Sequence, residues 1–216
     1  MKALLKKYKH AWVFLYGFIY MPWFYYLEQH VTKSFHVIYT PFDDKIPFIE
    51  YFVVPYYLWF PFVVVPVLYF FFKDKDEFYK TVKFMIIGMT IFLIFSTIYP
   101  NGQMLRPSTF ERDNIFVDMV KQLYKVDTPT NIFPSIHVYN SIGVYLAVRT
   151  SKHLQESKWI QRGTGILTFL IILSTIFLKQ HSILDAFGAF LIAVPAYYVS
   201  YVMEPKRAHS LKKIPT

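Results

Sequence analysis

Two histidines and an aspartate are the residues of this sequence whose types and spacing most clearly suggest chemistry. His181 and Asp185 are four residues apart, so they share one face of a helix that begins near this point. Asp185 can then accept the Nδ1 proton of His181 and leave Nε2 free to react. A structural role is the alternative, because a carboxylate is favoured at the positive start of a helix and a polar histidine suits a membrane interface.

His137 lies just after Pro134-Ser135, an order typical of a helix start because proline fits the first helical position. The free N–H groups of residues 135–137, together with the Ser135 hydroxyl, could hold a phosphate group at the positive helix end. A histidine with an ordinary pKa of about 6.5 can also donate or accept a proton near neutral pH. The alternatives are a His137 bonded to a neighbouring helix carbonyl and a Ser135 that only begins the helix.

Two cations complete the set of candidate binding residues. The planar guanidinium of Arg106 could hold two oxygens of a phosphate group at once. Lys179 could bring a second positive charge to the same place. Long basic side chains near membrane surfaces also extend towards lipid head groups, and this is the alternative for both residues.

Long uncharged segments must position these residues. A bilayer core of roughly 30 Å is crossed by about 20 apolar helical residues, and the segments that meet or approach this length are 11–29, 51–72, 84–101, 132–149, 162–179 and 184–203. The sequence therefore predicts one all-α domain over residues 1–216, a six-transmembrane-helix bundle. Apolar residues from Ile115 to Leu123 recur at helical spacing, which predicts an outer interfacial helix, either flat on the membrane or packed as a lid over the bundle.

The distribution of Lys and Arg predicts the orientation of these spans. Of the 23 such residues, sixteen fall in the two terminal segments and in the turns at 73–83 and 149–162, and seven fall in the loops of the other face. Cytoplasmic loops carry the excess of Lys and Arg. We therefore expect a multi-pass integral protein of the plasma membrane with both termini in the cytoplasm. Arg106, His137 and His181 then share the outer face.

The composition excludes several classes of protein. With 55% hydrophobic and only 17% charged residues, the chain is too apolar for a disordered protein and argues against a soluble fold. The absence of cysteine excludes disulfides, thiolate metal sites and cysteine nucleophiles. The net charge of +9 follows from membrane orientation, and no basic patch indicates a nucleic-acid partner. Asp43, Asp44 and Glu50 are interpreted as solvated loop residues, so neither a metal nor a cofactor is predicted, and no pattern specifies an oligomeric state.

The order of these motifs resembles the type-2 phosphatidic acid phosphatase superfamily of membrane-bound lipid phosphate phosphatases and phosphotransferases. The family pattern is a lysine, six residues and Arg-Pro; then Pro-Ser-Gly-His; then Ser-Arg, five residues, His, three residues and Asp. The matching positions are Arg106-Pro107, Pro134-Ser135 with His137, and Ser174 with His181 and Asp185. Tyr99, Ile136 and Thr175 replace the first lysine, the glycine and the second arginine. This loss of basic residues resembles the branch that includes sphingolipid head-group transferases.

The resemblance implies a metal-independent phosphatase that acts on a phosphorylated lipid, or on its pyrophosphate, at the outer leaflet. His181 would attack phosphorus to give a phosphohistidine, oriented by Asp185, while His137 would protonate the leaving group and then activate water. Arg106, Ser135 and Lys179 would bind the phosphate. One alternative is a lipid head-group phosphotransferase that uses a hydroxyl acceptor. Another is a non-catalytic membrane transporter or scaffold, although the chain lacks the repeat or mid-span charge typical of transporters.

Overall fold

The computed structural model describes residues 6–32 and 34–203 of the chain. Residues 1–5, Lys33 and 204–216, which carry part of the charge pattern used to orient the termini, lie outside the described residues. The fold is all-α, as predicted. Its α-helices are α1 (Gly17–His30), α2 (Pro41–Asp44), α3 (Val53–Lys73), α4 (Lys75–Ile98), α5 (Ile115–Val126), α6 (Ile136–Thr150), α7 (Lys158–Phe177) and α8 (Ile183–Tyr197). The 3₁₀ segments Lys9–Tyr16 and Glu50–Phe52 precede α1 and α3, and the π-helical turn Tyr198–Val202 extends α8.

Four helical segments within the described residues are long and apolar enough to cross a membrane. They are Glu50–Lys73, Lys75–Ile98, Lys158–Phe177 and Ile183–Val202. The prolines inside α3 do not end it, as expected where neighbouring helices and side chains satisfy the freed carbonyls of a membrane helix. These four helices indicate a membrane protein.

Helical segments lie at the six positions predicted as spans, but among the described residues only four of them are long and apolar enough to cross a membrane. Several of their ends are also shifted. α4 begins well before the predicted residue 84, because the Asp74 side chain accepts hydrogen bonds from the N–H groups of Asp76 and Glu77 and caps the helix. It ends at Ile98, shortly before Pro100, rather than at residue 101. α6 has only 15 residues and begins at Ile136 rather than at 132, which makes it shorter than the roughly 20 residues of a full span.

α6 is the central helix of the bundle and packs against α3, α4, α7 and α8. Its close approach to α4 depends on Gly88, where a Cβ atom would lie 2.1 Å from the Tyr139 ring. The Tyr139 ring stacks on Phe84 at a centroid distance of 4.6 Å, and its hydroxyl donates to the Phe84 carbonyl at 2.8 Å. This contact fixes α6 in the middle of the fold, where its first turn carries His137.

The predicted amphipathic helix is present as α5, and it packs on the bundle. Val120 and Leu123 are buried against Val53 and Leu178, so the lid arrangement, one of the two that the sequence left open, is the one observed. Ile115, expected on the apolar face, is 70% exposed. Ile115 is the first residue of the helix, and the buried residues of the helix are Val117, Val120 and Leu123.

The loops at the end of the bundle that carries α5 are joined to one another by backbone hydrogen bonds. His36–Val37 (β1) pairs in parallel with Asn101–Gly102 (β2), a short strand pair that the sequence did not indicate. Buried Asn101 also accepts, through its side-chain oxygen, the N–H groups of Ile132 and Phe133. These bonds bring the loop after α4 against the loop before α6, and so place the motif-bearing loops side by side.

Candidate active site

The turn between α7 and α8 fixes the position of His181. The N–H groups of Gln180 and His181 both donate to the Thr175 carbonyl at 3.0 Å, so the chain folds back directly over the end of α7. Lys179 allows this reversal by adopting a left-handed conformation with φ of 54°. Ser182 then caps α8, since its hydroxyl accepts the Leu184 N–H. His181 is therefore held rigidly at the entrance of α8.

His181 and Asp185 form the pair that their spacing predicts. The Asp185 Oδ2 atom lies 3.2 Å from His181 Nδ1 and also accepts the Ser182 N–H at 2.8 Å. Asp185 is fully buried and His181 is 6% exposed. Because Nδ1 is engaged by the carboxylate, Nε2 is the nitrogen of His181 that is left to react.

His137 lies on the first turn of α6 and faces His181. The two ring centroids are 5.6 Å apart and the rings are inclined at 62°. The Ser135 N–H donates to the Asp185 carbonyl at 3.1 Å, which ties the start of α6 to the first turn of α8 and sets this separation. Tyr56 and Trp59 of α3 pack against the other side of the His137 ring. Rings at this distance and angle are in T-shaped contact. Both line the same cavity, so one group bound in the gap beside them can contact both imidazoles.

A small cavity of about 40 Å³ opens at the two histidines. Its polar lining includes residues from α1 and from the loop before α6, namely Glu28, Asp127, Thr128, Thr130, Asn131, Gln180 and the two histidines. Its apolar lining comes from Phe24, Phe92, Ile132 and Ile136. A cavity of this size holds a few water molecules, since about 10–15 Å³ is enough for one.

Arg106 is connected to this site indirectly, by a hydrogen bond to Gln180, which lines the cavity. Its guanidinium donates to the carbonyls of Tyr124 and Asp127 at 3.1 and 2.7 Å and to the side-chain oxygen of Gln180. It also stacks on the Tyr124 ring at 4.4 Å. Burial lowers the pKa of Arg106, while the Asp127 carboxylate acts in the opposite direction. The guanidinium is thus one side chain away from the histidine gap and must release Gln180 to touch a phosphate there.

The structure does not bring Ser135 or Lys179 to the histidine gap. The Ser135 hydroxyl accepts the Val138 N–H within α6, so this residue caps its helix, as the structural alternative predicts. The Lys179 ammonium donates to the Asp43 carbonyl at 2.6 Å, on the other side of the turn. Burial lowers the pKa of Lys179, and Asp43 and Asp44 partly oppose this shift. The hydroxyls of Ser174 and Thr175 donate back into α7.

Asp43 and Glu50 are buried, so their interpretation as solvated loop residues is wrong. Asp43 is 1% exposed, and its carboxylate accepts the Ser182 hydroxyl at 2.6 Å and the Ile183 N–H at 2.9 Å. Glu50 is 2% exposed and accepts from Arg112 and Asn114. Asp43 thus supports the start of α8 from a distant part of the chain. The only local signal for it is the Thr-Pro-Phe-Asp sequence of a capped helix start.

Two further acidic residues at the cavity were also missed by sequence reasoning. Glu28 accepts from the Thr128 hydroxyl and from the Asn131 amide at 2.8 Å. Asp127 accepts from the Tyr56 hydroxyl and from the Gln180 amide at 3.3 Å. Glu28 lies near the end of an apolar segment, which is the one feature that could have singled it out.

One group of residues within the described part of the chain has the geometry for a metal ion, and it lies at the opposite end of the bundle. One ligand atom from each of Asp74, Glu77 and His153 can be found within 4.8 Å of the others. Burial would raise the pKa of Asp74, but the hydrogen bonds from Lys152, from the Glu77 N–H and from His153 outweigh it and hold this pKa below its usual value. The Lys152 ammonium, 2.6 Å from the Asp74 carboxylate, already supplies the positive charge there.

No family model, no curated protein and no solved structure matches this chain. The site itself consists of a carboxylate-bound histidine, a second histidine that faces it, and an arginine that is one side chain away.

Proposed function

We propose that this protein is an integral membrane enzyme that transfers the phosphoryl group of a lipid phosphate through a phosphohistidine on His181, as in the type-2 phosphatidic acid phosphatases that its motifs resemble. The observation that carries this proposal is the pair of imidazoles with ring centroids 5.6 Å apart, one of them bonded to a buried carboxylate. Hydrolysis of the intermediate by water makes the enzyme a lipid phosphatase. Metal and cofactor are not required for these steps.

The membrane arrangement completes the proposal. The segment Lys9–His30 and the central helix α6 join the four apolar helices to give six crossings, with α5 as a lid on the outer side. Both termini then lie in the cytoplasm, because the turns at Asp74 and His153 lie at the end of the bundle that carries the excess of Lys and Arg. The histidine pair is at the level of the outer head groups, where a lipid phosphate can enter.

In the first step, Nε2 of His181 attacks phosphorus, an N–P bond forms, and the P–O bond to the lipid breaks. The Asp185 carboxylate stabilises the positive charge that develops on the imidazole. His137, across the gap, gives a proton to the departing lipid oxygen, a role that contributes about 10²–10⁴ in rate. The products of this step are the lipid alcohol and the phosphorylated His181.

In the second step, an acceptor hydroxyl attacks the phosphohistidine and restores the free enzyme. His137 takes the proton of the acceptor, the new O–P bond forms, and the N–P bond to His181 breaks. Arg106 lies near the non-bridging oxygens once Gln180 turns aside, and preorganised donors of this kind are worth on the order of 3 kcal/mol in a transition state. Gln180 itself can donate to an oxygen in the same position.

The test is phosphate release from phosphatidic acid in detergent micelles, with a chelator present so that the activity is assigned to the side chains. His181→Gln is expected to reduce release by at least about 10³-fold, because the nucleophile is lost. His36→Gln is the matched control, since His36 is exposed on the same end of the bundle. An acid-labile phosphate label on the wild-type protein, absent from the His181→Gln variant, identifies the phosphohistidine intermediate. Equal turnover of the His181→Gln and His36→Gln variants contradicts the proposal.

A further inference from the structure

The cavity beside the histidine pair is lined by several hydrogen-bond acceptors. Asp127 and Glu28 contribute carboxylates, and Asn131 contributes an amide. The Asp127 carboxylate already accepts from the Tyr56 hydroxyl and the Gln180 amide, whereas Glu28 and the Asn131 side-chain oxygen have free capacity. A ligand in this cavity must therefore present hydrogen-bond donors to Glu28 and Asn131.

Glu28 is held in place with spare acceptor capacity. Its carboxylate accepts from the Thr128 hydroxyl and from the Asn131 amide nitrogen. A carboxylate has about four lone-pair positions, so about two remain for a further donor. The two existing bonds come from the loop before α6, and they fix the orientation of the carboxylate at the wall of the cavity.

The second, independent observation concerns Asn131, whose side-chain oxygen lacks a hydrogen-bond donor among the described residues. Asn131 is 6% exposed, and its amide nitrogen is committed to Glu28. Its backbone adopts a left-handed conformation with φ of 54°, held by the bond from its N–H to the Asn101 carbonyl at 2.7 Å. A buried acceptor without a donor is a position where a ligand can form a hydrogen bond, and asparagine adopts this backbone conformation readily.

The required donor cannot be the phosphate. A phosphate dianion offers only acceptors and is repelled by the Glu28 and Asp127 carboxylates that line the cavity, so it does not supply this donor. A quaternary ammonium group lacks a hydrogen to donate to Asn131. A single hydroxyl has one hydrogen and can donate to only one of the two acceptors. A small polyol can donate one hydroxyl to each acceptor and still present a further hydroxyl to phosphorus.

We propose that Glu28 and Asn131 form a hydroxyl-binding subsite that selects and orients the acceptor of the phosphoryl group, favouring a polyol over a simple alcohol. This inference rests on the proposed function of His181. In the second step, two hydroxyls of the polyol donate to Glu28 and to the Asn131 side-chain oxygen, and a neighbouring hydroxyl attacks phosphorus. His137 takes the proton of the attacking hydroxyl, the N–P bond breaks, and the product is a polyol phosphate.

The experiment lets two alcohols compete for one intermediate. The full-length protein is incubated with ³²P-labelled phosphatidic acid in micelles containing equal concentrations of glycerol and ethanol, and glycerol phosphate, ethyl phosphate and inorganic phosphate are separated. The ratio of glycerol phosphate to ethyl phosphate does not depend on the amount of folded protein, because both arise from the same phosphohistidine. The variants are Glu28→Gln, and Asn131→Gly, which keeps the left-handed backbone. Glu111→Gln, on an exposed outer loop, is the control.

We expect the wild-type protein and the Glu111 variant to favour glycerol at least ten-fold. In the Glu28 and Asn131 variants the ratio should fall to the statistical value set by the number of hydroxyl groups, with the phosphohistidine still formed. An unchanged ratio in these variants, or inorganic phosphate as the sole product of the wild type, overturns the subsite and leaves the proposed function intact. A wild-type protein that forms neither phosphohistidine nor any product refutes the function of His181, and the subsite with it.

Discussion

Replacement of Asp43 by asparagine should loosen the start of α8 although residue 43 is far from it in sequence. The carboxylate accepts the Thr40 N–H at 2.9 Å, the Ser182 hydroxyl at 2.6 Å and the Ile183 N–H at 2.9 Å, and it is 1% exposed. An asparagine keeps one acceptor oxygen but turns an NH₂ group towards at least one of these donors. The variant therefore loses charge-assisted bonds and leaves a buried donor facing another donor.

The size of this effect follows from the bonds lost. A hydrogen bond to a charged group contributes about 1.5–3 kcal/mol, and a buried donor left unpaired costs about 1–3 kcal/mol. Since the asparagine retains part of the bonding, we expect the free energy of unfolding to fall by about 2 kcal/mol. For a chain of this length, each kcal/mol corresponds to about 2–4 °C in the thermal midpoint. The Asp43→Asn variant should therefore melt about 4–8 °C below the wild type.

The assay is thermal unfolding of the purified protein in detergent, followed by tryptophan fluorescence. Asp44→Asn is the matched control, because the neighbouring carboxylate is exposed and is bonded only to the Tyr39 hydroxyl among the contacts described for its side chain. Phosphate release measured below both midpoints should also fall for the Asp43 variant, since His181 immediately precedes the clamped residues. Equal melting of the two variants would show that the buried carboxylate does not hold α8, and the structural reasoning would be wrong.

Three other variants test separate parts of the structure. Gly88→Ala should destabilise the protein by about 1–3 kcal/mol, because the new Cβ atom would overpack against Tyr139. The control is Gly165→Ala, which should melt like the wild type because its Cβ atom meets its nearest neighbour at an ordinary 3.5 Å. Equal melting of the two variants would contradict the close contact at Gly88. His137→Gln should slow turnover by about 10²–10⁴-fold while leaving the melting temperature within a few degrees, and unchanged turnover would remove this residue from the mechanism. Asp74→Asn should lower stability by up to about 1 kcal/mol at pH 7. The folded-state pKa of this carboxyl lies well below its unfolded value of about 3.9, so the stabilisation is complete above that value and is lost gradually as the pH falls towards the folded-state pKa. In melting curves between pH 7 and pH 3, the difference between the two proteins should begin to shrink only below about pH 4.

Much of the candidate site follows from spacing along the chain, and the rest depends on contacts between distant segments. His181 and Asp185 are one helical turn apart, so their pairing is a property of the helix they begin. The approach of His137 depends on a bond between the Ser135 N–H and the Asp185 carbonyl, which no local pattern encodes. The side chain of Lys179 was expected near the phosphate but points to Asp43 instead, because its left-handed backbone turns it out of the line of α7.

The amino-acid sequence by itself determined where the helices lie, because hydrophobic length, proline and capping residues act over a few positions. It also predicted that Arg106, His137 and His181 share one face of the membrane, because Lys and Arg residues are unevenly distributed between the loops. Only the tertiary structure decided which carboxylates enter the site: Glu28 and Asp43 meet their partners across more than a hundred residues. Such contacts are set by how whole helices pack, and a residue type at one position carries no information about which distant loop will cover it.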